Sequence, residues 1–316
     1  MTKPLVSVCM PCYNASCYVL DAVNSILVQS WDNIELIIVD DGSTDDSAAL
    51  LSSVCDSRVK FIQQANRGQC AAANRAFAEA QGLFLKFFDA DDVLSPGTIE
   101  SQILILGERE DAIASSQWGR FYGDDLSSFR LNPEPVWCNL SATDWLVQAW
   151  RYAQPMMQCG LWLIPREILE RAGGWDESLS LINDFEFFAR LLCHAEEVCF
   201  TPNARLYYRS GIPGSLSSRK TRAAAESAFY SILKGTGHLL ARRSDAEARL
   251  SCANMMQNFL YTFYPAHPDL RTAIAQRVAE LGGSDLPPPG GPLFQRASRL
   301  IGWKSARRLQ RLAGRA

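Results

Sequence analysis

Apolar residues in the first third of the chain fall into four short runs separated by polar turns. "LVSVCM" (5–10), "ELIIVD" (35–40), "VKFIQQ" (59–64) and "LFLKFF" (83–88) are rich in β-branched or aromatic residues and predict strands. Between them, residues 18–29, 44–54 and 68–81 have helical length and apolar spacing. Parallel strands need long crossovers, so this alternation predicts an α/β fold with a mainly parallel, twisted sheet and helices on both faces. From about 96 to 210 the pattern is mixed. Helices are expected at 96–109, 141–152, 166–172 and 184–194, and short strands near 112–118, 159–164 and 204–209. Residues 219–282 read as helices rich in Ala, Leu and Arg, and "PPPGGP" (287–292) breaks the chain as a linker would. The expected organisation is an α/β domain over 1–215, a helical region over 216–286, the linker, and a tail over 293–316 in which Leu293, Ala297, Leu300 and Ile301 share one helix side with Trp303 near its border.

Composition changes this picture little, and charge changes it more. With 47% hydrophobic and 21% charged residues the chain has the makings of an ordinary globular core. The formal charge of −3 divides unevenly: residues 293–316 hold seven basic groups and no acid, leaving 24 basic against 34 acidic elsewhere. An acidic body argues against a nucleic-acid binder, whose positive footprint lies on the folded domain. No apolar run approaches the 18 or so residues that span a bilayer, and the stretch after Lys3 is a poor signal peptide. Ten cysteines without framework spacing suit reduced thiols, so the cytoplasm is the expected compartment. Cys9 and Cys12 have C-x-x-C spacing but lack the second pair a zinc site needs, and read as apolar filling at a strand end.

Open α/β sheets bind ligands beyond the carboxyl ends of their strands. Here those ends are followed by "PCYN", "DGSTDD", "ANRGQ" and "DADD", polar and turn-forming in every case. Ser43 or Thr44 with Asp45 can cap the next helix, yet capping does not explain Asp40 and Asp41 at the strand end. A carboxylate there can accept a pyrimidine ring N–H or hold ribose hydroxyls. Asp89, Asp91 and Asp92 repel one another, and a hard divalent ion, Mn²⁺ or Mg²⁺, would relieve this while facing a diphosphate. Neither G-x-x-x-x-G-K-[ST] nor a strand-following G-x-G-x-x-G occurs, so a phosphate site would be built on metal. Helix capping is an alternative role for Asp92, and for Asp184 ahead of "FEFFARLL".

"MPCYN", "VDDGSTDD", "NRG" with "AANRAF", "DADD", "GGWDE" and "NDFEFFARL", in this order from about Val6 to Tyr208, resemble the family 2 glycosyltransferases, inverting enzymes of the GT-A fold that use nucleotide-diphosphate sugars. The resemblance implies Pro11 and Tyr13 beside the base, Asp41 on its ring N–H with Asp40 supporting the strand end, and Arg67 near the nucleotide. It further implies Asp89 near the ribose or metal, Asp91 as principal metal ligand, Trp175 and Asp176 on the acceptor side, and Asp184 as general base. Asn183 stands where the family commonly has Glu. The family's His after the Tyr-Arg pair is also missing, with Arg209, Ser215 or Ser217 as candidate substitutes toward phosphate.

The implied activity is transfer of a sugar from a UDP- or dTDP-type donor to an acceptor hydroxyl, the family's common setting being cell-surface polysaccharide or glycolipid assembly. Asp184 would deprotonate the acceptor and the metal would stabilise the leaving diphosphate. Saccharide or lipid-linked acceptors are implied, and the basic tail is expected to lie on an anionic membrane or to pack as an ordinary surface helix. Two other readings fit such a chain. A sugar nucleotidyltransferase would want a Gly-rich first loop, which "PCYN" is not, and a catalytically idle scaffold would be expected to lose its carboxylates first.

Overall fold

The computed structural model describes residues 3–212 and 221–312. Strands β1 (Val6–Cys12), β2 (Ile34–Asp40), β3 (Val59–Gln63) and β4 (Phe84–Phe87) run parallel in the order β3-β2-β1-β4. Helices α1 (Val19–Leu27), α2 (Ser47–Ser52) and α3 (Gln69–Glu79) connect them. Every residue of β4, and all but one each of β1 and β2, is buried, which is why these strands read as continuous apolar runs. Their register is tight: Cys9 lies between Ile37 and Phe87, and Cys12 opposite Asp40, so the strands end on a common rim. Along α3, Cys70, Ala72, Ala73 and Ala76 are buried, their small side chains allowing the helix to lie close to the sheet.

Of the second sheet, the sequence showed only the strands expected near 112–118 and 204–209. After β5 (Val93–Leu94) and α4 (Thr98–Leu106), β6 (Ala112–Tyr122) and β7 (Asp125–Leu131) form a hairpin. β8 (Leu140–Ser141) and α5 (Ala142–Trp150) follow. β9 (Ile164–Pro165) joins the first sheet antiparallel to β4 and leads into α6 (Arg166–Ala172) and α7 (Asn183–Leu192). The long β10 (Glu197–Ser210) pairs in parallel with β6 and antiparallel with β5 and β8, giving a sheet ordered β5-β10-β6-β7. β7 escaped prediction because it is mostly exposed and carries no apolar run.

The helical region comprises α8 (Arg222–Arg242), α9 (Ala246–Phe263) and α10 (Pro268–Glu280), and the tail folds as α11 (Pro292–Ile301) and α12 (Trp303–Leu312). None of the described helices is long and apolar enough to cross a membrane. α8 lies directly on α7: a Cβ added to Gly235 would stand 2.6 Å from the Phe185 ring. The junction between the sheets and α7 is aromatic. Trp175 stacks on Phe187 at 3.8 Å, Phe87 meets both edge-on at 5.3 and 5.4 Å, and Trp162 stacks on Phe188 at 5.3 Å. These contacts fix the helix that carries Asp184.

Candidate active site

The loops at the rim are clipped to one another. Asn14 takes a left-handed φ of 50° and accepts the Thr44 amide at 2.8 Å, while its own amide donates to Ser43 Oγ at 2.9 Å. Gly42 has φ 75°, and a Cβ there would lie 2.9 Å from the Asn66 nitrogen, so glycine is required where the second and third loops meet. Asp41 holds the third loop by accepting from Gln64 Nε2 at 2.7 Å, the Arg67 amide at 2.9 Å and the Gly68 amide at 2.8 Å. Asp40 is buried, with one oxygen receiving the Ser43 amide at 3.3 Å and the other left without a partner among the described residues. On the first loop of this rim, Pro11 is half-buried and Tyr13 is exposed. The Arg67 guanidinium reaches across to Glu177 at 3.1 Å, joining the rim to the "GGWDE" loop.

Beyond β4 the chain turns through Asp89, Asp91 and Asp92, each of which offers a carboxylate oxygen within 4.8 Å of the others. Asp89 accepts from Gln69 Nε2 at 2.9 Å and Gln158 Nε2 at 3.0 Å. Asp92 is fully buried and accepts the Arg209 amide at 2.8 Å and Gln158 Nε2 at 2.7 Å. The cap of α4 is Gly97, so the helix-capping role considered for Asp92 is corrected: it ties β10 to the β4 turn. The Asp91 carboxylate accepts no hydrogen bond from another described residue. Burial and then the Asp89 charge push it up to about 7, and the same desolvation raises Asp89 and Asp92. One free carboxylate between two pinned ones fits a hard cation: Asp91 and Asp89 are the residues that would hold it, with Asp92 behind them.

Asp184 sits in the first turn of α7, two residues beyond the cap Ile182, so it does not serve as the N-cap. Ile182 itself adopts φ 51°, unusual for a β-branched residue, and its carbonyl is held by Ser231 Oγ at 2.6 Å. Burial, then repulsion from Asp89, lifts the Asp184 carboxyl well above the ordinary carboxylate range. Asn183 links the helix start to α3, donating to Gln69 Oε1 at 3.2 Å and Cys70 Sγ at 3.1 Å. Through Gln69, which donates to Asp89, the start of α7 is linked to the β4 carboxylates, and the Asp89 charge reaches Asp184.

Other expected residues have different surroundings. Trp175 is only 6% exposed, its ring sandwiched into the aromatic junction rather than open to an acceptor, while its amide and carbonyl are both held by Asn74. Asp176 pairs with Lys234 at 2.5 Å and accepts from Ser178, which holds it near 2 despite partial burial. Arg209 is engaged elsewhere. Its side chain is 1% exposed and donates to the Asp91 carbonyl, the Gly123 carbonyl, Asp124 and Asp21 between the rings of Tyr18 and Phe121, which uses four of its five N–H groups. Ser215 and Ser217 lie outside the described residues. Cys9 and Cys12 are free and buried as filling residues, and burial pushes the Cys12 thiol up to about 12. A separate cleft of about 470 Å³, lined by Arg171, His194, His238 and Arg242 among others, lies at the far end of α7 from Asp184.

The family profile described as glycosyl transferase family 2 matches residues 7–173, more than half of the chain. The chain belongs to glycosyl transferase family 2. Among family 2 relatives, an uncharacterised glycosyltransferase of Haemophilus influenzae is 43% identical over 106 residues, covering 33% of this chain and 42% of that protein. The putative teichuronic acid biosynthesis glycosyltransferase TuaG of Bacillus subtilis is 40% identical over 139 residues, or 42% of this chain and 55% of TuaG. The matches therefore span about half or less of these relatives' length. Staphylococcus aureus TarS 1–349, solved in complex with UDP-GlcNAc, superposes with a TM-score of 0.64 at 15% identity over 98% of this chain and 92% of its own, so the likeness of fold takes in the helical region as well. Gln158 was missed because it lies outside every motif, and Asn14 and Gln69, inside "MPCYN" and "ANRGQ", carried no signal of a role; only the fold brings Gln158 to carboxylates 66 and 69 residues away.

Proposed function

We propose that the chain transfers a sugar from a UDP- or dTDP-type nucleotide-diphosphate donor to an acceptor hydroxyl with inversion at the anomeric carbon. The observation that carries this reading is the Asp91 carboxylate on the parallel-sheet rim, without a hydrogen-bond donor among the described residues and set between Asp89 and Asp92, with the Asp89 charge reaching Asp184. The pocket formed by Pro11, Tyr13, Asp40 and Asp41 would take the base and ribose, Asp40 having a buried oxygen still to satisfy. Arg67 would close over the nucleotide from the third loop. The acceptor would approach along the loop of Trp175 and Asp176, which Asn74 and Lys234 hold in place.

Asp184 would take the proton of the acceptor hydroxyl as that oxygen bonds to the anomeric carbon and the bond to the diphosphate oxygen breaks. Burial and the Asp89 charge raise its affinity for that proton. Mn²⁺ or Mg²⁺ bound at Asp91 and Asp89 would supply positive charge beside the leaving diphosphate. The names of TuaG and of TarS with UDP-GlcNAc support a UDP-sugar and a cell-wall or surface polysaccharide acceptor, and reduced thiols with a nucleotide-sugar donor support a cytoplasmic setting. Calorimetric titration of UDP and dTDP, with and without Mn²⁺, tests the reading: binding that needs Mn²⁺ and disappears in Asp91→Asn is expected, and absence of binding by either nucleotide overturns it.

A further inference from the structure

α11 and α12 present a surface that the transferase reading leaves unused. They are docked by one side only. Phe294 and Ala306 are buried, Trp303 meets Tyr261 and Tyr264 edge-on at 4.9 and 5.0 Å, and Arg308 Nε donates to the Tyr264 hydroxyl at 2.9 Å. The Pro/Gly segment before them is tied down as well. Arg151 grips Asp285 with two bonds of 2.8 and 2.6 Å, the Tyr261 hydroxyl donates to the Leu286 carbonyl at 2.9 Å, and Arg307 donates to the Pro289 carbonyl at 2.7 Å. Gly302, with φ 77°, sets the bend between the two helices.

With that side engaged, the opposite face is held in water. Leu293, Leu300, Ile301 and Leu309 are 74%, 85%, 47% and 56% exposed. Arg296, Arg299 and Lys304 stand exposed among them without a carboxylate partner among the described residues, and the whole of 293–316 contains no acid. Exposed leucines on this scale mark a contact surface. A nucleic acid would satisfy the arginines and leave the leucines wet, and a purely apolar partner would strand the cations. An anionic bilayer offers phosphates and acyl chains at one depth, which suits a face that mixes the two.

We propose that α11 and α12 dock the folded chain on an anionic membrane surface, Leu293, Leu300 and Leu309 entering the acyl boundary and Arg296, Arg299 and Lys304 meeting lipid phosphates. The proposal is independent of the transferase reading. It is tested by sedimenting the full chain with vesicles of phosphatidylcholine alone or mixed with phosphatidylglycerol, alongside light scattering of the protein by itself. Binding only to the mixed vesicles, weakened by added salt, is expected. Arg296→Gln and Arg299→Gln should each lower partitioning about fivefold, the loss due to one basic residue near such a surface. The double variant L293S/L300S should lose binding while keeping its circular dichroism and Tm. Failure to bind the mixed vesicles, or equal binding to pure phosphatidylcholine, overturns the proposal. So does self-association that L293S/L300S abolishes in a protein that ignores vesicles, which assigns the face to a second copy of the chain.

Discussion

Gln158 donates its side-chain amide to Asp92 over 2.7 Å, with both groups almost wholly out of water. The other hydrogen of the same amide goes to Asp89 at 3.0 Å, and Gln158 Oε1 accepts the Gly160 amide at 2.6 Å. A neutral group thereby occupies the space between two acids. Gln158→Ala removes both donors and should cost about 1–3 kcal/mol for each carboxylate left short. Gln158→Glu should cost more, since it sets a third acid against the pair. Urea denaturation of the two variants measures the ranking.

Asp91 and Asp92 are neighbours with opposite expected behaviour. Asp92 bridges Gln158 and the Arg209 amide, so Asp92→Asn should lower Tm. Asp91 is crowded by burial and the Asp89 charge, so Asp91→Asn should leave Tm equal or higher while abolishing Mn²⁺-dependent nucleotide binding. Because Asp91 takes up a proton below about 7, affinity for Mn²⁺ should fall as pH drops below that value. Chelation by EDTA should remove nucleotide binding, and Mn²⁺ should restore it. Calorimetry at pH 6 and 8 and thermal scans of both variants provide the checks.

Asp184→Asn should lower kcat by roughly 10²–10⁴-fold, the usual contribution of a positioned base. Nucleotide affinity should scarcely change, since the pocket of Asp40 and Asp41 lies on other elements. Turnover equal to wild type with any sugar donor that the enzyme accepts would remove Asp184 from the reaction.

Lys86 is fully buried and donates to the carbonyls of Gly160 and Trp162 at 2.8 and 2.9 Å, two acceptors that a neutral amine can serve. Burial lowers it from 10.5 to about 7. Between these values the unfolded chain binds more protons than the folded one, so this residue's contribution to stability rises as pH climbs from about 7 toward 10. The gain is on the order of a few kcal/mol. Lys86→Met should flatten that rise, a change of slope visible in urea midpoints at pH 7 and 9.

Arg209→Lys should destabilise by about 2 kcal/mol or more, because an ammonium cannot reproduce the planar fork that joins the Asp91 carbonyl, Gly123, Asp124 and Asp21. A drop in Tm with nucleotide affinity retained would identify the residue as a brace. Loss of affinity at unchanged Tm would return it to the phosphate site.

The four parallel strands were legible because burial on both faces wrote each as an unbroken apolar run, and the rim residues followed from where those runs stop. The second sheet was legible only in β6 and β10, since β7 is wet and β5 is two residues long. The carboxylates at 40, 41, 89, 91 and 184 announced themselves through motif and charge. Their supports did not: Gln158, Asn14 and Asn183 act through single amides whose partners are distant in sequence, and no periodicity marks such a residue. Arg209 misled for a related reason, because sequence shows that a cation is present but not that three turns of chain have already claimed it.

Ser227 and Ser231 on α8 hold the chain at Ser180, Leu181 and Ile182, and Gly235 lets the same helix rest on Phe185. The floor beneath Asp184 is therefore furnished by a helix that begins about fifty residues beyond the end of the family match at residue 173. On the proposed reading, replacing Ser227, Ser231 or Gly235 would shift Asp184 while leaving the rim that carries Asp40, Asp41 and Asp91 untouched.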